Sequence, residues 1–281
     1  MLPRLLSVVI VNYNTHDDLH ACLTAIQACQ PMPEVIVVDN ASTDNSAAMV
    51  KNEFPNTILI EPGRNIWFCG GNNLGIAAAH GAYVLLLNPD TIPAPDAFAR
   101  MVEFLHHHPE YAGVTGQLRY PHGAVQQTCS RLPTFRYLLL TQTMLQWLMP
   151  AAARRASVEH TYSDHWARDV DQDVGVIPGS CLMMRREALH LNPALYLYFP
   201  EEDIARRAHG RLFRFVAAAK IIHREKSSTK TRLATRLYFR DMLTYTRQYH
   251  GVFGASLLWL LSRPVVWGMA LKSRLSQPPR K

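Results

Sequence analysis

The segment that most restricts the fold is YVLLLNPDT, residues 83–91. Tyr83, Val84, Leu85, Leu86 and Leu87 form an unbroken apolar run. A strand with one wet face alternates apolar and polar residues; an unbroken run reads as a strand covered on both faces, as in a parallel sheet. Pro89 has no N–H to give a ladder and stops the strand. Asp90 is therefore expected at the carboxyl end of a central strand, where open α/β sheets take their ligands. A carboxylate there is suited to hold a divalent cation against a phosphate. An ordinary polar turn would also satisfy the pattern.

The flanking sequence alternates strand and helix signals, which predicts a mainly parallel sheet covered by helices. Strands are expected at residues 6–11, 35–39, 57–61 and 84–87, and helices at 17–29, 44–53, 72–80 and 95–107. Gly70 and Gly71 are expected to lead into the third helix. Beyond residue 113 the pattern loosens. Residues 114–120 and 123–129 are expected to pair across the PHG turn, and 133–170 to form a helical or irregular insert. Residues 174–185 read as strand material around Gly179, 206–210 as a short helix after an acidic cluster, 214–223 as a strand and 235–250 as an amphipathic helix.

With 281 residues, 48% of them hydrophobic, the chain can bury a substantial core. Its five cysteines are scattered, odd in number and without CxxC spacing. That argues against a disulfide framework or zinc site and fits a reducing cytosol. The apolar N-terminus runs into the first strand without a small-residue cleavage site, so no signal peptide is expected. The net charge is +7, but residues 224–281 alone carry 12 Lys/Arg against 2 Asp/Glu. A basic tail suggests an anionic surface as partner. No nucleic-acid reader motif is present, which argues against nucleic acid. The tail also contains VFGASLLWLLSRPVVWGMAL, residues 252–271, interrupted by Arg263 and Pro264. Such a segment suits a helix lying in a membrane interface better than one spanning it; a terminal helix docked on the protein is the plainer alternative.

Several strand ends carry amides and acids. Asn12 and Asn14 follow the first strand, Asp39 closes the second, and Asn88 and Asp90 follow the fourth. Gly70, Gly71 and Gly75 permit close backbone approach, either to an anion at a helix start or to a packed neighbour. Glu201, Glu202 and Asp203 form a run of three acids, suited to general-base work on a hydroxyl or to a solvated helix start.

Taken together, SVVIVNYNT (7–15), VIVVDNASTDNS (35–46), RNIWFCGGNNLGI (64–76) and LLLNPDT (85–91) resemble glycosyltransferase family 2. Within it they are similar to the rhamnosyltransferase-like branch of bacterial polysaccharide assembly. GSCLMMRREAL (179–189), FPEEDIARRAHG (199–210), IIH (221–223) and RLYFRDMLTYTRQYHG (236–251) extend the resemblance over most of the chain. It weakens at 130–170 and after Gly251.

The resemblance implies a GT-A fold: an α/β architecture whose mainly parallel nucleotide-binding sheet is flanked by helices, with a C-terminal acceptor-side region and a helical tail. It divides the chain into a nucleotide-sugar-binding half (1–112), an acceptor and catalytic half of the same domain (113–234) and a tail (235–281). The implied reaction is inverting and metal-dependent, using Mg²⁺ or Mn²⁺. The implied donor is a nucleotide-diphosphate sugar, dTDP-rhamnose first and a UDP-hexose as the alternative. The implied acceptor is a saccharide or a polyprenyl-diphosphate-linked saccharide, met at the inner face of the cytoplasmic membrane. A catalytically degenerate nucleotide-sugar-binding protein is the alternative of another class.

Residue by residue, the resemblance gives Asp39 to the nucleotide base, with Asn12 and Asn14 at the same pocket. It gives Asn65 and Asn73 to the nucleotide-sugar site, beside Asn88. Asp90 matches the metal-binding acid of the DXD element, whose first carboxylate is Asn88 here, and His223 falls where a metal-approaching histidine lies. Arg224, Lys226, Ser227, Ser228 and Thr229 are candidates to close over the phosphates. For the base, anchoring the family form on Asp203 and Arg207 selects Glu201, the first choice; anchoring on the Glu-Asp pair selects Asp203, the second.

Overall fold

The computed structural model describes residues 5–162, 166–225 and 232–275, the last six without side chains. Nine strands form one mixed sheet, in the order β3-β2-β1-β4-β8-β6-β9-β5, with β7 pairing on β9. The first four in that order are parallel: β3 (Ile58–Ile60), β2 (Glu34–Asp39), β1 (Leu6–Asn12) and β4 (Tyr83–Leu87). β8 (Cys181–Arg185) lies antiparallel between β4 and β6 (Gly113–Arg119). β9 (Phe213–His223) is parallel to β6, while β5 (Thr91–Pro93) and β7 (Gln172–Val174) run against it.

The apolar runs divide between two cores with the period of two that a pleated strand imposes. Val8, Ile10, Val35, Val37, Leu85 and Leu87 face one core; Val9, Ile36, Val84 and Leu86 face the other. Helices α1 (His16–Gln27), α2 (Ser46–Glu53) and α4 (Ala97–His107) cover the first face. In α4, Phe98, Met101, Val102 and Leu105 are buried at helical spacing. The second face takes α3 (Trp67–Ala78), α7 (Pro200–Arg207) and α8 (Arg232–Leu275). The insert is helical, with α5 (Phe135–Thr141) and α6 (Ala151–Tyr162). All five cysteines are buried and free.

Three expectations need correction, and one strand was not expected. Gly70 and Gly71 lie inside α3, which already begins at Trp67. Residues 123–129 form no strand; they meet the end of β6 through one bridge, Arg119 to Val125, and the backbone bonds of Tyr120 with Ala124 and of Gln126 with Leu118. The acidic cluster is the first turn of α7 instead of its preface. β5, too short to show periodicity, escaped the sequence reading; it exists because the chain after Pro89 pairs with the end of β9, setting Thr91 opposite His223.

Candidate functional site

The amides and acids that close the first strands gather at one sheet edge because parallel strands end together. Asn12 and Asp39 are partners in the β1–β2 register. Both are buried, and the Asn12 amide donates to Asp39 Oδ1 at 2.7 Å and to Ser42 Oγ at 3.0 Å. The Ser42 backbone N–H donates to Asp39 Oδ2 at 2.9 Å. Asn14, in the left-handed region that asparagine tolerates, accepts from the Thr43 N–H at 2.7 Å. These bonds hold the turn after β2 against the end of β1.

The glycines of α3 serve packing. A Cβ on Gly71 would stand 2.8 Å from Val11 Cγ1, and one on Gly75 would collide with Val9. The helix therefore lies hard against β1. Its start is set by two amides: Asn65 Oδ1 accepts from the Trp67 N–H at 2.8 Å, and Asn40 Nδ2 donates to the Trp67 carbonyl at 3.2 Å. Asn73 donates to the Leu191 carbonyl at 2.8 Å and accepts from the Leu191 N–H at 3.0 Å. Its amide ties α3 to a loop of the second half of the chain, and Asn65 likewise acts first on backbone.

Asp90 sits in the turn between β4 and β5, almost fully buried, with His223 Nε2 3.4 Å from its Oδ1. Residues 133 positions apart thus meet because β5 and β9 pair. Gln126 grips His223 twice: its Nε2 donates to the His223 carbonyl at 2.7 Å, and its Oε1 lies 2.8 Å from Nδ1. A carbonyl oxygen only accepts, so the amide orientation is fixed and Nδ1 carries a proton. Nε2 faces a carboxylate oxygen. With Nε2 protonated the two form an ion pair; with Nε2 unprotonated the ring and the carboxylate turn a lone pair each toward one point, an arrangement that fits a divalent metal. Among the described residues no group of three or more His, Cys, Asp or Glu gathers for a metal, so other ligands must complete such a shell. Arg224 donates its N–H to the Asp90 carbonyl at 3.0 Å, while its guanidinium pairs with Asp18 of α1 at 2.6 Å. Lys226, Ser227, Ser228 and Thr229 lie outside the described residues.

The three consecutive acids of α7 have three environments. Asp203 is fully buried and saturated: Arg207 Nε donates at 2.9 Å, Gln248 Nε2 at 3.1 Å and Tyr249 OH at 2.7 Å. Glu201 turns toward Gly179, whose N–H donates to its Oε1 at 3.0 Å. A Cβ on Gly179 would collide with that oxygen. Glu201 and Glu202 keep partial access to solvent although protein atoms crowd them. Burial pushes the Glu201 carboxyl above the ordinary range. Burial, followed by the neighbouring Glu201 charge, does the same to Glu202. The base candidate and the Asp90 turn are linked, because Ser180, next to Gly179, accepts from the Asn88 N–H at 3.1 Å.

The family model described as glycosyl transferase family 2 matches residues 7–191. The chain belongs to glycosyl transferase family 2. It is 25% identical, over 98% of its own length and 93% of the other's, to an N-acetylglucosaminyl-diphospho-decaprenol L-rhamnosyltransferase of Mycobacterium tuberculosis. It is 24% identical to the low-salt glycan biosynthesis hexosyltransferase Agl10 of Haloferax volcanii, over 72% of this chain and 61% of that one. Among solved structures it is similar in fold to GalNAc-T7 with UDP, GalNAc and Mn²⁺, with a TM-score of 0.62, 13% identity and coverage of 87% of this chain and 48% of that one. The mannosyltransferase PcManGT from Pyrobaculum calidifontis, in complex with GDP-Man and Mn²⁺, gives a TM-score of 0.55 at 15% identity, covering 98% of this chain and 76% of that one. The fold of this family 2 glycosyltransferase is GT-A.

Three residues that support the site escaped the sequence reading. Asn40 and Gln126 stand beside motif residues but carry no signal of their own, since their value lies in partners far along the chain. Asp241 of α8 is fully buried and accepts from the backbone N–H groups of Tyr196, Leu197 and Tyr198 at 3.0, 2.8 and 3.0 Å. It holds the loop that leads into Glu201. Phe199, left-handed at φ 67, completes that loop and lets Pro200 open α7.

Proposed function

We propose that this family 2 enzyme is an inverting, metal-dependent rhamnosyltransferase. In this reading it moves rhamnose from dTDP-rhamnose to a saccharide on a polyprenyl diphosphate, in the synthesis of a cell-surface polysaccharide. The observation that carries the chemistry is the meeting of Asp90 with His223 on the sheet edge that also carries Asp39, Asn12 and Asn88. Donor and acceptor rest on similarity to the mycobacterial rhamnosyltransferase along nearly the whole chain. The similarity to a hexosyltransferase keeps a UDP-hexose donor as the second reading.

In this reading residues 1–112 bind the donor, with Asp39 and Asn12 at the base and Asn14 and Asn65 shaping the pocket walls. Asn73 positions the Leu191 loop across that pocket. A divalent cation held by Asp90 and His223 would neutralise the leaving diphosphate and orient its oxygens. Residues 113–234 present the acceptor. Its hydroxyl attacks the anomeric carbon from the face opposite the diphosphate; the new C–O bond forms as the bond to phosphate breaks. The hydroxyl proton passes to Glu201, and dTDP leaves. The Gly179 N–H holds one Glu201 oxygen and leaves the other for that proton. Asp203, saturated by its three partners, ties α7 to α8. Arg224 can swing from Asp18 toward the diphosphate.

The tail supports a peripheral position on the cytoplasmic membrane. By length and composition residues 232–269 could cross a bilayer, but α8 is two-sided. Gly254, Leu258 and Ser262 are buried, whereas Phe253, Leu260 and Trp267 are 83%, 59% and 68% exposed. With Ser256 and Arg263 these three form one stripe at helical spacing, apolar where a solvated helix would be polar. Arg263 reaches over Trp259, its guanidinium 5.1 Å from the ring centre, as a side chain does that keeps its charge at an interface.

The deciding experiment incubates purified enzyme with Mn²⁺, a lipid-linked saccharide and a panel of nucleotide sugars, and measures nucleotide release. Release from dTDP-rhamnose above all others is expected. Release from UDP-hexoses alone would select the second reading, and release from none would leave a nucleotide-sugar-binding protein.

A further inference from the structure

We infer that Gln126 is a positioning residue that holds His223 in the tautomer able to ligate the metal. The inference rests on the metal reading of Asp90 and His223. Gln126 is 4% exposed and makes both its bonds to one residue, 97 positions away. Its own backbone is held on both sides: its N–H donates to the Leu118 carbonyl of β6 at 2.9 Å, and its carbonyl accepts from the Thr128 N–H of the same loop at 2.9 Å. The side chain is thus delivered rigidly. The 2.7 Å contact to the His223 carbonyl must come from the amide NH₂, because a carbonyl has no proton to give. The Gln126 oxygen therefore faces Nδ1 and obliges it to be the protonated nitrogen. Nε2 lies 3.4 Å from Asp90 Oδ1 and, once unprotonated, turns its lone pair to the same point as that carboxylate. With the proton on Nε2 instead, the ring would set a bare Nδ1 against the Gln126 oxygen in a buried site. An orienting bond to the non-ligating nitrogen raises the ligand strength of a histidine, and its loss costs about 10–100-fold in metal affinity.

The test uses the full chain with isotope-labelled histidine, His223 being assigned by comparison with His223→Gln. Long-range ¹⁵N–¹H correlation spectra report the tautomer, and electron paramagnetic resonance reports Mn²⁺ binding in the presence of dTDP. The wild type is expected to carry its His223 proton on Nδ1. Gln126→Met, close in size and without hydrogen bonds, is expected to mix the tautomers and weaken Mn²⁺ binding about 10–100-fold. Gln126→Glu, which still accepts from Nδ1, is expected to keep the tautomer and to bind Mn²⁺ more tightly than Gln126→Met. A wild-type His223 whose Nδ1 lacks a proton overturns the inference without any variant, even if Gln126→Met fails to fold. So does a Gln126→Met enzyme with wild-type Mn²⁺ affinity where Asp90→Ala has lost it. If Asp90→Ala also leaves Mn²⁺ affinity unchanged, the metal reading has failed, and this inference falls with it.

Discussion

On the donor side, Asp39, Asn12 and Asn88 leave the sheet at the ends of three adjacent strands, and register alone brings them to one edge. On the acceptor side, Glu201, Glu202 and Asp203 leave a single helical turn in three directions. Asp203 is locked by Arg207, Gln248 and Tyr249, Glu201 meets the Gly179 N–H, and Glu202 crowds Glu201. Neighbouring strands deliver their last residues to one edge only when they are parallel; neighbours in sequence on a helix are about 100° apart and face unrelated surroundings. The donor side is thus a property of the sheet, and the acceptor side a property of what packs around α7.

The comparison can be broken by substitution. The largest effect is expected at Asp90: Asp90→Ala should lose turnover to background while the circular dichroism spectrum and melting temperature hold. Retained turnover would remove Asp90 from the metal site. Next, Glu201→Gln should lower kcat by about 10²–10⁴-fold with little change in melting temperature. Asp203→Asn should do the reverse, destabilising the fold by about 1–3 kcal/mol through its bonds to Arg207, Gln248 and Tyr249 while the folded fraction still turns over. If Asp203→Asn proved the catalytically dead, stable variant, the roles within α7 would be exchanged.

A smaller effect separates the two sides by pH. The Glu201 and Glu202 carboxyls are raised by burial, with the Glu201 charge adding to the shift of Glu202. The folded chain therefore holds protons that the unfolded chain has released. That contribution to stability is fully present below the ordinary glutamate value of 4.5 and is lost as pH rises through the raised values. A base must be unprotonated to act, so kcat/KM should climb over the window in which the melting temperature falls. Glu201→Gln should flatten the climb. The smallest effect belongs to the tail. Phe253→Ser with Trp267→Ser should weaken binding to anionic liposomes without altering turnover on a soluble acceptor. Ending the chain at Gly251 is a poorer test, because it would uncover the surface that buries Leu258 and Ser262.

Much of the first half was legible in the sequence for the same reason that it is regular. Apolar runs such as Val8–Val9–Ile10 are long enough to announce a strand, and their ends announce the edge. The meeting of Asp90 with His223 was given by family resemblance, not by pattern, since β5 has three residues and no periodicity. Glycines 71 and 75 were visible, but whether they served a ligand or Val9 and Val11 was decided only by the packed helix. Among the acids of α7 the sequence reading preferred Glu201 over Asp203, but the partners that hold Asp203 were out of its reach. They include Gln248 and Tyr249 of a helix some 45 residues on, placed by tertiary packing.

Helix α8 holds the loop before Glu201 through Asp241, holds α7 through Gln248 and Tyr249, then bends at Gly251 and carries the apolar stripe. One rod therefore joins the turn that carries Glu201 to whatever surface the stripe meets. The angle at Gly251 sets how high, and at what tilt, the site stands above that surface. Adding a single residue just after the bend would turn the stripe by about 100° about the helix axis. The site would stay intact and aim elsewhere.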